Sequence, residues 1–300
     1  MADGPAMTRT RLALLVSLAM LAFAGNSLLC RLALKHTRID AASFTTVRLV
    51  SGALMLWLLA RSQRSTNTST TDRIPGDGGN WLSALALFIY AAGFSFAYVS
   101  MTAATGALIL FGAVQASMVT LGLFAGERLR ALQIVGFVLA LGGLVALMLP
   151  GLATPSLTSG LCMLAAGVSW GVYTLRGKRN QSGGAGNPVR VTAGNFLRAA
   201  PMAVVLSLVT LNHQSLDAAG IGFAVVSGAL ASGVGYAIWY QALPALRATH
   251  AATIQLSVPV IAALGGVAFI GETISAPMLL ASGAILGGIA LVILDKNKAG

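Results

Sequence analysis

Long apolar runs, each close to the length that crosses a lipid bilayer, alternate with short polar stretches from one end of the chain to the other. A spanning helix needs about 20 predominantly apolar residues. Runs of that length fall at about Leu12 to Leu34, Ala42 to Ala60, Trp81 to Met101, Thr105 to Ala125 and Ala131 to Leu149. A second set follows at about Gly160 to Leu175, Val191 to Leu211, Ala218 to Leu243, Ala248 to Ile270 and Pro277 to Leu294. Between them, the polar stretches Arg61 to Asn80 and Gly177 to Arg190 read as loops, being too poor in apolar residues to bury a face. The first run has the basic flank (Arg9, Arg11) and the Ala22-Phe23-Ala24 triplet of a secretory signal. Its apolar stretch continues past the triplet to Leu34 and has a counterpart in the second half, so it is read as a retained span.

Composition agrees with a lipid environment. Of 300 residues, 56% are hydrophobic and 9% charged, where a soluble domain carries about 25% charged residues. The mean hydropathy is +0.82. A net charge of +11 would suggest nucleic acid as a partner in a soluble protein, but here the bases lie in short loops, where membrane topology accounts for them. Cys30 and Cys162 fall inside apolar runs, which argues for packing and against a disulfide framework.

The bases also orient the chain. Of the 19 Lys and Arg, fourteen lie on the side of the termini if there are ten spans. Arg31, Lys35 and Arg38 lie on the opposite side, and Arg48 and Arg198 lie within spans. A miscounted span would mix the two pools, so the asymmetry predicts ten spans with both termini cytoplasmic. Similar features recur at a fixed offset. Arg31 and Arg176, Gly126-Glu127 and Gly271-Glu272, and Gly142-Gly143 and Gly287-Gly288 are each 145 positions apart, and Arg48 and Arg198 are 150 apart. Five spans per repeat is an odd number, so the second copy must insert upside down. Inverted repeats are a hallmark of secondary transporters. The expected fold is all-α and membrane-integral: ten transmembrane helices in two inverted five-helix repeats, residues 1–150 and 151–300, around a central cavity.

Several stretches resemble the EamA-type branch of the drug/metabolite transporter superfamily. They are AGNSLLCRLAL, FTTVRLVSGALMLWLL, the hairpin LGLFAGERLRALQIVGFVLALGGLVAL, VSWGVYTLRGK, NFLRAAP, and the long run from GYAIWYQALPALRATH to LGGIALVIL. The resemblance implies a ten-helix inverted-repeat carrier, in a family that includes exporters of amino acids and other small metabolites. Two positions depart from its pattern: Ala24 replaces a common tryptophan, and the fourth span lacks a proline near Val114-Gln115, whereas Pro259 is present in the ninth.

A carrier must replace part of a solute's hydration shell at membrane depth, where an unpartnered polar group costs a few kcal/mol. Polar and aromatic residues far from loops are therefore candidates for substrate binding: Asn26, Tyr90, Tyr98, Gln115, Trp170, Tyr173, Tyr236, Trp239, Tyr240 and Gln255. Aromatics near span ends also form interfacial belts, and buried amides also glue helices together. Arg48 and Arg198 are read as intramembrane charges, either snorkelling to the headgroups or forming alternating gate pairs, Arg48 with Glu272 and Arg198 with Glu127. Gly283 with Gly287, and Gly228 with Ser232, have the spacing of close helix contacts, and Ser232 to Gly235 offers a place for the eighth span to bend.

All eight carboxylates lie in loops or at span ends. Proton-driven pumps commonly place one at the midplane, so facilitated transport or exchange is favoured, with a proton-coupled multidrug or metabolite pump as the alternative. His250 is read as structural, with proton carriage as the alternative. His36, His213 and His250 are not paired with acids at helical spacing, and no metal-ligand or nucleophile motif appears, which disfavours an enzyme. A membrane sensor without transport is the remaining rival. The sequence thus predicts a carrier of small neutral or zwitterionic metabolites, amino acids first and export as the direction, in the bacterial cytoplasmic (inner) membrane. No cofactor, metal or nucleic acid is expected. The expected partners are the solute and membrane lipid, with a monomer as the working state and a dimer as the alternative.

Overall fold

A computed structural model describes residues 8–63, 78–124, 130–148, 156–182, 187–246 and 254–296. These form ten helices: α1 (Arg9–His36), α2 (Ala41–Ser62), α3 (Trp81–Tyr98), α4 (Ala103–Phe124), α5 (Ala131–Met148), α6 (Leu157–Ser182), α7 (Pro188–Val209), α8 (Ala218–Ala242), α9 (Ser257–Ile270) and α10 (Ala276–Lys296). Two short 3-10 turns, Leu211–His213 and Leu243–Ala245, complete the described structure, which contains no strand. Helices α1 to α4, α7 and α8 are long and apolar enough to cross a membrane, and α5, α9 and α10 contain shorter apolar stretches. In lipid, a helix is the simplest way to satisfy every backbone N–H and C=O within one segment. Their outer faces are apolar as well: Leu14, Leu18 and Leu21 on α1, and Val50, Leu54 and Leu58 on α2, are exposed at helical spacing. Apolar residues on both faces suit helices with lipid on one side and protein on the other.

The elements differ from the sequence reading in one place. Helix α6 continues through Ser182, so most of the polar run from Gly177 is helical. The expected start of the ninth span at Ala248 lies outside the described set, which resumes at 254; Ile254 and Gln255 are helical, and α9 runs from Ser257. Most of the expected loop from Arg61 to Asn80 also lies outside it, at 64–77.

Helix starts are fixed by side-chain caps. The Oδ1 atom of Asp40 accepts from the N–H groups of Ala42 and Ser43 at 3.0 and 2.9 Å, and Asn80 caps α3 through the Ser83 N–H at 2.9 Å. Asn187 caps α7 just ahead of Pro188, whose missing N–H costs nothing at that position. Asp217 caps α8. The two aspartates also clasp each other's loops. Ser215 N–H donates to Asp40 Oδ2 at 3.0 Å, and Arg38 N–H donates to Asp217 Oδ1 at 3.1 Å, tying the α1–α2 connection to the α7–α8 connection.

The helices pack in a limited set of pairs: α5 with α10, α2 with α7 and α8, α3 with α6 and α7, α1 with α8 and α9, and α4 with α6 and α9. Glycine permits the closest of these approaches. A Cβ on Gly228 in α8 would collide with the Arg48 backbone oxygen and Ser51 Oγ of α2. Gly136 and Gly288 bring α5 and α10 together, each packed against the other's carbonyl. The sequence reading gave Gly283 and Gly287 the spacing of a close helix contact, but nothing lies within 4 Å of a Cβ at either, and the face of α10 turned to α5 carries Gly288. The Gly228–Ser232 step does meet α2.

Helix α8 is not uniformly wound. Residues Ser227–Val234 form a π-helical segment between α-helical stretches. A π turn closes i→i+5 bonds and so brings residues five apart toward one face, whereas in an α-helix they would lie about 140° apart. Ser227 and Ser232 are five apart, and both turn inward, Ser227 to Asn26 and Ser232 to Arg48.

Two outcomes follow from this packing. Gly228→Ala lowers stability by about 1–3 kcal/mol, the usual cost of overpacking, whereas Gly222→Ala, with nothing within 4 Å, is neutral or slightly stabilising. Thermal unfolding of both variants in one detergent checks this, and equal melting temperatures would show that α2 and α8 are not in close contact. Asp40 supplies a pH dependence. Partial burial pushes its carboxyl up, but the hydrogen bonds from Ser43, Ser215 and Ala42 outweigh that and hold it below its ordinary value. With the folded value lower than the unfolded one, the stabilisation is fully present above about pH 4 and drains away as pH falls through the folded value. Asp40→Ala should cost about 1 kcal/mol at pH 7, with the gap to the unmodified protein closing as pH drops below 4.

Candidate functional site

Four aromatic residues from four helices meet at the centre of the bundle. Trp170 of α6 lies with its ring centroid 4.8 Å from Tyr90 of α3, 5.0 Å from Tyr236 of α8 and 6.3 Å from Phe23 of α1. Phe23 meets Tyr236 and Trp239 edge-on at 5.8 and 5.9 Å. Such tilted and edge contacts add about 0.5–1.5 kcal/mol per pair beyond burial, so the cluster is a rigid wall. It borders a small cleft, completed by Asn26 and Ser27 of α1, Phe94 of α3, and Leu110 and Phe111 of α4.

A polar seam runs along one side of the aromatic wall. The Arg48 side chain of α2 is 1% exposed and donates from Nη2 to the Tyr90 hydroxyl at 3.1 Å and from Nε to Ser232 Oγ at 3.2 Å. Its guanidinium carbon lies 5.2 Å from the centroid of the Tyr90 ring and 4.9 Å from that of Phe94, both within cation–π range. Asn26 Nδ2 donates to the same Tyr90 oxygen at 3.3 Å, and Asn26 Oδ1 accepts from Ser227 at 2.6 Å. The two sides of the seam therefore depend on the π segment of α8.

Of the ten predicted binding residues, Asn26, Tyr90, Trp170 and Tyr236 line this cavity. Tyr173 and Trp239 stand directly behind it: Tyr173 stacks on Trp170 at 5.6 Å and accepts from Asn195 at 3.4 Å, and Trp239 packs on Phe23. Tyr240 is buried beside Gly177, and Gln255 is buried just ahead of α9. Tyr98 is fully buried, with its hydroxyl donating to the Ala103 carbonyl at 3.2 Å, where it fastens α3 to α4. Gln115 faces a separate apolar crevice with Phe137, Ile289 and Val292, between α4, α5 and α10.

Of the two gate pairs expected from the sequence, Arg48 with Glu272 is not formed in this structure. Glu272 is engaged by Arg31, not by Arg48: Arg31 Nε donates to Glu272 Oε1 at 3.0 Å, with the two side chains only 10% and 6% exposed. Arg31 also donates to the Tyr98 and Val99 carbonyls at the end of α3, and Glu272 Oε2 accepts from the Ala103 N–H at the start of α4. Glu272 turns inward because Gly271 ends α9 in the left-handed conformation, at φ +67°. Arg48 does not snorkel; it points into the bundle. Arg198 donates to the Gly78 and Gly194 carbonyls at 2.9 Å each. Glu127 lies outside the described residues. Arg31 and Arg176 are also intrahelical bases, contrary to their reading as bases of loops. Arg176, the repeat counterpart of Arg31, holds the start of α3 through Ser83 Oγ at 3.1 Å and Asn80 Oδ1 at 3.0 Å.

Sequence reasoning missed Phe23, Phe94, Ser227 and Ser232. The two phenylalanines carry no polar atom to single them out, and the two serines share a face only through π winding.

Comparison with known proteins accords with this architecture. Residues 157–294 match the EamA-like transporter family. An uncharacterized protein of Pseudomonas aeruginosa is 53% identical over 290 residues, 97% of each chain. The threonine/homoserine exporter RhtA of Escherichia coli K12 is 31% identical over 177 residues, covering 56% of this chain and 58% of the exporter. The chain belongs to the EamA-like transporter family, within the drug/metabolite transporter superfamily. This EamA-like protein is thus a multi-pass membrane transporter, as its apolar helices require. RhtA of Salmonella typhimurium LT2 is 32% identical over 162 residues, 52% of this chain and 53% of its own length. A solved crystal structure superimposes over 96% of this chain and 98% of its own with a TM-score of 0.63 at 19% identity, a likeness of fold alone.

The Arg31–Glu272 contact is testable by a double-mutant cycle. Removing one partner of a buried pair costs about 3–5 kcal/mol. Arg31→Met and Glu272→Gln should therefore each destabilise strongly, with a coupling of about 1–3 kcal/mol in the double variant. Arg48→Met combined with Glu272→Gln should be additive within about 0.5 kcal/mol. Strong coupling in that second cycle would restore the pairing with Arg48.

Proposed function

We propose that this protein is a secondary transporter for small neutral or zwitterionic metabolites, amino acids foremost, and that it exports them across the bacterial cytoplasmic membrane by alternating access. The observation that carries the reading is the small cleft within the bundle, walled by aromatic faces and edged by the amide and hydroxyls of Asn26, Tyr90 and Tyr236. Aromatic faces with a few hydrogen-bonding tips suit zwitterionic or amphipathic solutes of amino-acid size. RhtA, a relative over part of the chain, is named for export of threonine and homoserine, which favours amino acids and the outward direction.

Two five-helix repeats, residues 1–150 and 151–300, are part of this proposal, with ten membrane crossings and both termini in the cytoplasm. The packing list supports them. Replacing each helix of α1 to α5 by the one five places later turns the α3–α6 pair into α8–α1, α3–α7 into α8–α2 and α4–α6 into α9–α1, all of which occur. Pairs α2–α7, α4–α9 and α5–α10 map onto themselves. A bundle with that exchange symmetry can adopt two related states in which the halves swap roles. The contrast between Arg31, which grips the end of α3, and Arg176, which grips its start, favours alternation between unequal states.

Counterflow in proteoliposomes tests the function. Vesicles preloaded with threonine, homoserine or an aromatic amino acid should accumulate external labelled solute several-fold over protein-free vesicles. Trp170→Ala should reduce the initial rate by about tenfold or more, since it removes the ring that joins three walls. If no neutral or zwitterionic solute exchanges, or if a sugar phosphate is preferred, the reading falls.

A further inference from the structure

We propose that Arg48 receives the carboxylate of the transported solute, so that the substrate class is narrowed to small molecules bearing a single carboxylate; this rests on the reading of the cavity as a carrier's site. Among the described residues, Arg48 carries the largest fully buried side chain. Among the described residues no acid pairs with it, the ion pair there being Arg31 with Glu272. Asp40, on the same helix, is occupied in capping and clasping and stands eight residues away, about 12 Å along the axis. A buried charge without a counterion is expensive, and neutral hydrogen bonds with two aromatic faces offset only part of that cost.

The atoms around the guanidinium are donors in excess. Arg48 Nη1 is buried and has no partner, and the hydroxyls of Tyr236 and Ser27, both on the cavity wall, can each donate. Tyr90 oxygen already accepts from Arg48 and Asn26, which leaves its own proton to donate. Asn26 Oδ1, the acceptor at this side, is taken by Ser227. A region with free donors and an occupied acceptor suits a ligand that only accepts, and an ionised carboxylate is such a group. One guanidinium with one free nitrogen matches a monoanion, whereas a phosphate dianion would call for a second cation; the cavity wall itself holds no cation, and Arg48 stands directly behind it against Tyr90 and Phe94. An amino acid bound this way sets its carboxylate toward Arg48 and its side chain against Phe23 and Trp170.

The test compares acids with their amides on the purified full-length protein in nanodiscs. Equilibrium binding of labelled L-threonine and L-phenylalanine is measured in competition with L-threoninamide and L-phenylalaninamide. The amides should compete at least tenfold more weakly than the acids. Arg48→Gln should weaken acid binding by tenfold or more while leaving the already weak amide competition unchanged, and Arg48→Lys should recover part of the loss. Equal competition by acid and amide overturns the proposal, as does failure of both acids to bind. A folded Arg48→Gln variant that binds the acids normally also overturns it; if that variant does not fold, the acid-to-amide ratio of the unmodified protein decides. Discrimination between acid and amide without counterflow would sink the transport reading and leave this one standing, whereas counterflow of amides as fast as acids would do the reverse.

Discussion

A guanidinium with one per cent of its residue surface exposed, inside a bundle whose outer faces are apolar, sets the terms for everything around Arg48. Its charge is fixed under any condition a cell presents, so the structure has no option of neutralising it by losing a proton. What surrounds it is a set of partial compensations: the Tyr90 hydroxyl, the Ser232 hydroxyl, and the faces of Tyr90 and Phe94. They come from two helices, α3 and α8, and each must be delivered accurately. Helix α3 supplies the two rings from positions four apart, where side chains on one face of an α-helix meet. Helix α8 supplies Ser232 only because its π turn rotates that residue onto the face already occupied by Ser227.

The π segment in turn depends on how near α8 comes to α2. Gly228 lies against the backbone oxygen of Arg48 itself, so the residue whose charge must be compensated is also the point of closest approach between the helices. A side chain at Gly228 would push α8 outward and carry Ser232 away from the guanidinium. The small residues and the buried charge are thus one arrangement. The same logic holds where α5 meets α10 through Gly136 and Gly288, and there the buried Gln133 of α5 donates across to the Val292 carbonyl of α10 at 3.2 Å.

The helical, membrane-spanning character of the chain was legible in the sequence because it rests on runs of apolar residues, a signal read without any tertiary information. The family resemblance was legible for the same reason, since the quoted stretches are local. Part of the site was legible too: Asn26, Tyr90, Trp170 and Tyr236 stand out as polar or amphipathic groups deep in apolar runs. The partners of the charges were not. Spacing placed Arg48 and Glu272 near matching depths, but which base meets Glu272 is decided by rotation about the helix axes, and Arg31 proved to be on the inner face. The Arg31 position near a span end made it resemble a loop base, although its side chain is as buried as many core residues. Ser227 and Ser232 were illegible for a different reason: their i, i+5 spacing has no meaning in an α-helix and acquires one only when the winding changes.

On the proposed two-repeat arrangement, Arg31 and Arg176 hold the chain in an asymmetric state. Arg31 and Arg176 occupy equivalent places 145 residues apart, and both reach α3, one at its end and the other at its start. Were the two halves conformationally equivalent, Arg176 would be expected to engage α8, the counterpart of α3, as Arg31 engages α3. That both clasp the same helix means α3 is held at each end while α8 is fastened at its start by Asp217 and in its middle by the seam to Arg48 and Asn26. The π turn lies directly ahead of Tyr236 and Trp239, so the winding of α8 sets where both meet Phe23 and where Tyr236 meets Trp170 in the aromatic wall.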